Sequence, residues 1–150
     1  MQNGNLIAIL RLEKGLTQQY MANILNISLK TYKLYESNKR PILINTLNKL
    51  CNYFNVSLDA LLNLTNNLDN EIINSEINYK KLSFHLRCIR KKYHLTQNDI
   101  AYYFGISVMS VSRYEMYPKT ISITYLCNFA KKFNISIDYL CGKTQKKEIL

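Results

Sequence analysis

Glycine and proline are scarce in this sequence, 4 and 2 of its 150 residues, while 47% of the residues are apolar. A chain so poor in helix breakers and so rich in apolar side chains can bury real cores and is not disordered. No apolar run approaches the roughly 18 residues that a membrane helix requires, so no membrane partner is expected. The start, MQNGNLIAILRLEKG, has no basic n-region and reaches the charged Arg11 after a short apolar stretch. A secretion signal is not read there, and a cytoplasmic protein, nucleoid-associated when bound to DNA, is expected.

Metal and enzyme signals are also missing. Cys51, Cys88, Cys127 and Cys141 form no CxxC pair and have no histidine at zinc-finger spacing, so buried free thiols are expected, not a metal site. His85 and His94 stand apart from any recurring carboxylate or serine arrangement, and there is no glycine-rich phosphate loop. Neither an enzyme nor a cofactor is expected.

What the chain does contain is itself, twice. LTQQYMANILNIS at 16–28 returns as LTQNDIAYYFGIS at 95–107, an offset of 79 residues. The same ungapped offset sets Arg11 on Arg90, Tyr35-Glu36 on Tyr114-Glu115, Ile42 and Ile44 on Ile121 and Ile123, and Leu47 on Leu126. FNVSLDALL then falls on FNISIDYLC. Two copies that specify equivalent cores and turns are two homologous domains, 1–65 and 79–144, with a linker at 66–78 and a basic tail at 145–150.

Each copy reads as helical. Thr17 and Thr96 suit the N-cap role, and Thr96 with Asp99 approximates a capping box. Met21 with Leu25, and Ile100 with Phe104, share one face at four-residue spacing. Asn26 and Gly105, which tolerate a left-handed turn, end those helices. Ser28 and Ser107 cap the next, which turns Tyr32, Tyr35, Val111 and Tyr114 inward; TLNKLCNYF and YLCNFAKKF give a later helix, and Ser57 or Ser136 caps a last one.

Counted from Gln18, apolar residues stand at motif positions 4, 8, 10, 15 and 18 (Met21, Leu25, Ile27, Tyr32, Tyr35), with Ala22 at 5 and Asn26 at the turn. The second copy supplies Ile100, Phe104, Ile106, Val111, Tyr114, Ala101 and Gly105. This pattern resembles the Cro/repressor-type helix-turn-helix family, the xenobiotic-response-element group, over all but the linker and tail. Asn26 for glycine and Tyr32 for a β-branched residue make the first copy the less typical. The resemblance implies an all-α fold of two tandem five-helix, lambda-repressor-like domains that bind double-stranded DNA.

Residue roles follow from the same resemblance. The base-facing positions are Leu29, Lys30, Lys33 and Leu34, and Val108, Met109, Ser112 and Arg113. A guanidinium can grip guanine O6 and N7 together, which makes Arg113 the sharpest candidate reader, against an exposed helix charge touching phosphate or water. Lys30 and Lys33 serve as phosphate clamps or as readers; Leu29, Val108 and Met109 touch thymine methyl groups or pack within their own domain. Gln18 and Gln97, at helix N-termini, are implied phosphate contacts, or else exposed helix formers. Asn38, Lys39, Arg40 and Lys119 are implied backbone contacts or members of a solvated turn. Arg11 with Glu36, and Arg90 with Glu115, are implied internal ion pairs, structural and not base-reading.

Charge is uneven along the chain: +4 over 1–65, −3 over 66–78 from Asp69, Glu71 and Glu76, and +9 over 79–150, for a net +10. Counterion release makes the second domain the stronger source of non-specific affinity. The linker NNLDNEIINSEIN spans about 43 Å if extended at roughly 3.3 Å per residue, enough for the ~34 Å between half-sites on one face of DNA. Ile72, Ile73 and Ile77 also give it a short apolar helical stripe. The expected function is transcriptional regulation, by repression at an operator. An antitoxin-like or anti-regulator protein-interaction module is the alternative, and a homodimer or a regulatory protein partner stays open.

Overall fold

A computed structural model describes residues 3–66 and 76–149 and resolves the chain into two compact units, 1–70 and 71–150. The first unit contains α1 (Asn3–Glu13), α2 (Gln18–Leu25), α3 (Leu29–Glu36), α4 (Ile44–Phe54) and α5 (Leu58–Leu61). The second repeats the order with α6 (Tyr79–Lys92), α7 (Gln97–Phe104), α8 (Val108–Met116), α9 (Ile123–Phe133) and α10 (Ile137–Leu140). No strand occurs among the described residues. The fold is all-α. The linker stripe at Ile72 and Ile73 lies outside the described residues; Ile77 is half-buried, and Asn78 caps α6 by accepting from Lys81 N–H at 3.0 Å.

Local chemistry sets these boundaries. The Thr17 hydroxyl accepts from Tyr20 N–H at 3.1 Å, and Ser28 and Ser107 accept from Thr31 and Ser110 N–H at 3.1 Å each. In the complete capping box of α7, the Asp99 carboxylate accepts from Thr96 N–H at 2.7 Å and from the Thr96 hydroxyl at 2.6 Å. Those two donors, the hydroxyl first, hold the Asp99 carboxyl below its usual range. Asn26 (φ 56°) and Gly105 (φ 63°) stop α2 and α7 in the left-handed conformation, so the connection to α3 and to α8 is three residues long.

Left-handed positions recur at the repeat offset: Gly15 with His94, Asn26 with Gly105, Asn55 with Asn134, and Asn63 with Gly142. One pair departs from the rule. After α3 the chain turns through Asn38 at φ 55°, whereas after α8 Tyr117 is at φ −127° and Pro118 opens a 3-10 turn, Pro118–Thr120.

Each unit closes around its own core. Ile7, Met21, Ala22, Tyr32, Leu47, Leu50, Leu58 and Leu61 are fully buried or nearly so in the first; Leu82, Leu86, Ile100, Ala101, Val111, Leu126 and Leu140 are in the second. Burying each large aliphatic side chain contributes about 1.5–3 kcal/mol. Ala22 and Ala101 are buried on α2 and α7, the helices that pack against α3 and α8, a setting that suits a small residue. The second copy replaces Leu25, Thr46 and Leu50 by Phe104, Tyr125 and Phe129, and these rings meet at 5.4 Å (Phe104–Tyr125) and 5.9 Å (Tyr125–Phe129).

One expectation changes in the fold. Cys51, Cys127 and Cys141 are buried thiols, but Cys88 is exposed. The buried stripe of α6 runs through Leu82, Leu86 and Ile89, and two residues beyond Leu86 the helix has turned Cys88 away from it. Tyr32 is buried as expected, and its hydroxyl, close to the Glu36 carboxylate and to Arg11, meets neither at ordinary hydrogen-bond geometry. Burial first, and then the Glu36 carboxylate, push this phenol well above its ordinary value. An orphaned buried hydroxyl costs about 1–3 kcal/mol, so Tyr32→Phe is expected to stabilise the first unit by about 1 kcal/mol. Urea denaturation measures it; a destabilised variant would show that the hydroxyl is satisfied.

Candidate nucleic-acid interface

The faces of α3 and α8 opposite their buried residues present the expected base-facing set. On α3, Tyr32 and Tyr35 point into the core, which leaves Lys30 and Lys33 exposed and Leu29 and Leu34 half-buried. On α8, Val111 is buried, Val108 is 41% and Met109 79% exposed, Arg113 is exposed and Ser112 half-buried. The Ser112 hydroxyl donates to Met116 Sδ at 3.7 Å, and the Arg113 guanidinium carbon is 6.0 Å from the Tyr114 ring centre. The outward face of α3 is thus cationic and aliphatic, and that of α8 apolar with one guanidinium.

A three-residue network positions each of these helices. Arg11 Nε donates to Glu36 Oε1 at 2.6 Å, Nη2 to Oε2 at 3.2 Å, and Nη1 to the Leu16 carbonyl at 2.7 Å. In the second unit Arg90 makes the same contacts, to Glu115 at 2.6 and 3.0 Å and to the Leu95 carbonyl at 3.0 Å. The third member is a glutamine: Gln18 Nε2 donates to Glu36 Oε2 at 2.7 Å, and Gln97 Nε2 to Glu115 Oε2 at 3.0 Å. One carboxylate therefore ties the first helix, the loop before the motif and the motif's two helices together. Burial alone would raise the Glu36 carboxyl, but the hydrogen bonds from Arg11 and Gln18 outweigh it and hold the group below its ordinary value. The hydrogen bond to the paired carboxylate likewise raises both arginines.

The network bears on how the two glutamines can meet a phosphate. Each is half-buried at the start of its helix, and one amide hydrogen is committed to the carboxylate, which fixes the orientation of the rest of the group. Sequence reasoning placed Gln18 and Gln97 at the DNA backbone and the ion pairs elsewhere; the structure joins them in one cluster. The signal was present in the repeated spacing, 11, 18 and 36 against 90, 97 and 115. Asn38, Lys39 and Arg40 are exposed in the turn after α3. Lys119 is exposed after α8, with Nζ 5.4 Å over the Tyr79 ring.

This arrangement suits DNA, a duplex that takes a helix in its major groove and cations at its phosphates. A helix-turn-helix family model matches the chain twice, over residues 7–61 and 86–140. The chain belongs to this family, in its Cro/repressor type. Neither a curated protein nor a solved structure matches it. The two matched segments begin at equivalent residues, Ile7 and Leu86, and end at equivalent residues, Leu61 and Leu140. The family is one of DNA-binding transcription regulators and not typically of enzymes. Among the described residues no cluster of three or more His, Cys, Asp or Glu could hold a metal, and no helix is long and apolar enough to cross a membrane.

His85 and His94 take structural places. His85 is half-buried, its Nδ1 3.1 Å from the Leu140 carbonyl oxygen and its ring stacked on Tyr139 at 4.6 Å. His94 is exposed at φ 56°, where the first copy has Gly15.

Proposed function

We propose that the chain is a sequence-specific regulator that represses transcription by covering an operator, with α3 and α8 each entering the major groove. The duplicated network of arginine, glutamate and glutamine carries this reading. It holds both recognition helices with their outward faces free of the core, and repeats in a copy whose reading residues differ. Lys30 and Lys33 in one unit, and Val108, Met109 and Arg113 in the other, read different bases. Lys39, Arg40 and Lys119 grip the phosphates, together with Gln18, Gln97 and Asn38. The protein-interaction alternative draws on exposed apolar residues of the first unit, Leu12 at 64% and Leu43 at 67%. A shift assay with genomic fragments, repeated across salt concentrations, separates the two: a DNA reader shows a steep salt slope.

Arg113→Ala is the sharper test. If Arg113 grips a guanine, its loss costs about 1–3 kcal/mol at the preferred site and little on random DNA, whereas Lys39→Ala weakens both alike. Fluorescence anisotropy with the two duplexes gives the four values. Equal losses on both duplexes for Arg113→Ala would remove it as a base reader.

A further inference from the structure

A cleft beside the end of α8 shares Lys119 alone with the surfaces assigned above. Tyr79, Lys80 and Arg87 from α6 form one wall, and Met116, Tyr117 and Lys119 form the other, around a cavity of about 620 Å³. Met116 and Tyr117 are each 62% exposed, and neither belongs to the base-facing set. Lys80, Arg87 and Lys119 bring three cations to the lining, and no carboxylate is part of it. Lys119 Nζ, 5.4 Å over the Tyr79 ring, sets one of those charges against the aromatic wall. Glu76 lies outside the lining; with burial first, and Cys141, it raises the Tyr79 phenol.

The first repeat serves as an internal control. At the equivalent positions it has Ala8 for Arg87, Ser37 for Met116, Asn38 for Tyr117 and Lys39 for Pro118. Its turn runs through the left-handed Asn38, while the second copy substitutes the 3-10 turn from Pro118. A helix-turn-helix unit therefore folds without the apolar wall, and the wall appears at the one turn where the two backbones diverge. Apolar surface with a few convergent polar groups, in a volume between roughly 300 and 1,000 Å³, is the character of a small-molecule site.

We propose that this cleft binds a small organic anion with an aromatic body. The ring lies against Tyr79, Met116 and Tyr117, where aromatic and sulfur contacts favour a flat π-system. The anionic group meets Arg87, which can hold two of its oxygens, and the ammonium groups of Lys80 and Lys119. The cleft wall is also the last turn of the recognition helix. Tyr117 N–H donates to the Arg113 carbonyl at 2.7 Å, and the Ser83 hydroxyl donates to the Glu115 carbonyl. An anion that occupies Lys119 withdraws it from a DNA phosphate, so ligand and DNA oppose each other by the same factor in both directions. This coupling rests on the DNA reading; anion binding does not.

The test titrates the full chain with 1-anilinonaphthalene-8-sulfonate and with the uncharged N-phenyl-1-naphthylamine, following dye emission. One saturable sulfonate site per chain is expected. Arg87→Ala should weaken the sulfonate about tenfold, the scale of one charge-assisted hydrogen bond, and leave the neutral dye unchanged. Tyr117→Ser should weaken both dyes, and Lys49→Ala, on the surface of the other unit, neither. Amide chemical shifts of the wild-type chain provide a readout free of substitutions, and those moved by the sulfonate should cluster at 79–87 and 116–120. The site is overturned by no saturable binding, by equal affinity for the two dyes, by indifference to Arg87→Ala and Tyr117→Ser, or by shifts elsewhere. Saturating sulfonate should then lower affinity for the selected duplex; undiminished affinity would overturn the coupling. A chain that binds the sulfonate as described but no DNA would overturn the DNA reading and leave the cleft assignment standing.

Discussion

Glu115→Ala is expected to destabilise the second unit by about 3–5 kcal/mol, enough to unfold much of it at ambient temperature. The Glu115 side chain is 4% exposed and receives three hydrogen bonds, two from Arg90 and one from Gln97. Removing it leaves a largely buried guanidinium with the Leu95 carbonyl as its remaining hydrogen-bond acceptor and frees the glutamine that joins α7 to α8. The cost comes from the stranded charge, not from the net value of the pair. Replacing both partners, Arg90→Met with Glu115→Leu, should therefore recover most of the loss, since an apolar pair of similar volume is often near neutral. Urea denaturation followed by residue-resolved amide signals separates the units, and the first should keep its midpoint. A loss under about 1 kcal/mol for Glu115→Ala would mean that solvent reaches the pair and screens it.

The matching carboxylate adds a pH signature. Glu36 is held below its ordinary value of 4.5, so its contribution is fully present above that value and is lost as pH falls through the lower folded value. The first unit should lose stability on the acid side of 4.5, and Glu36→Gln should flatten that limb while lowering stability at neutral pH. An unchanged acid limb would assign the titration to another carboxyl group.

How far the sequence could be read depended on how local each determinant is. Caps and left-handed turns are decided within four residues, so Thr17, Ser28, Asn26 and Gly105 were legible one at a time. The duplication extended this, because a residue that recurs 79 positions later in the same setting is under the same constraint. For the glutamine's bond to the carboxylate the repeated spacing showed that 18 and 36 recur together but not that they touch, because no local rule relates residues 18 apart on two helices. Cys88 was misjudged because a general preference of thiols for burial was applied without the phase of α6. The cleft beside α8 was beyond sequence pattern altogether: Tyr79 and Tyr117 are 38 positions apart, and only the 3-10 turn at Pro118 brings their walls together.

Severing the chain between its two units should cost more binding than any single substitution. Conventional dimers gather two recognition helices by pairing two chains, and here both helices belong to one chain. If both read the same duplex, the tether makes the second contact intramolecular, and such linkage raises affinity by about 100- to 10,000-fold over either part alone. A protease site placed within 66–78 keeps the intact chain as its own control: affinity for a two-site fragment is measured before and after cleavage at one salt concentration. Each half should bind far more weakly after cleavage, and the 79–150 half, with a net charge of +9, should be the stronger. Footprints should contract from two neighbouring groove segments to one. The first copy is where the reading is most exposed to failure, since its Tyr32 and Leu29 depart from the second copy's Val111 and Val108. If cleavage leaves the 79–150 half with the full footprint and the full affinity, only α8 reads DNA, and the outward lysines of α3 serve another surface.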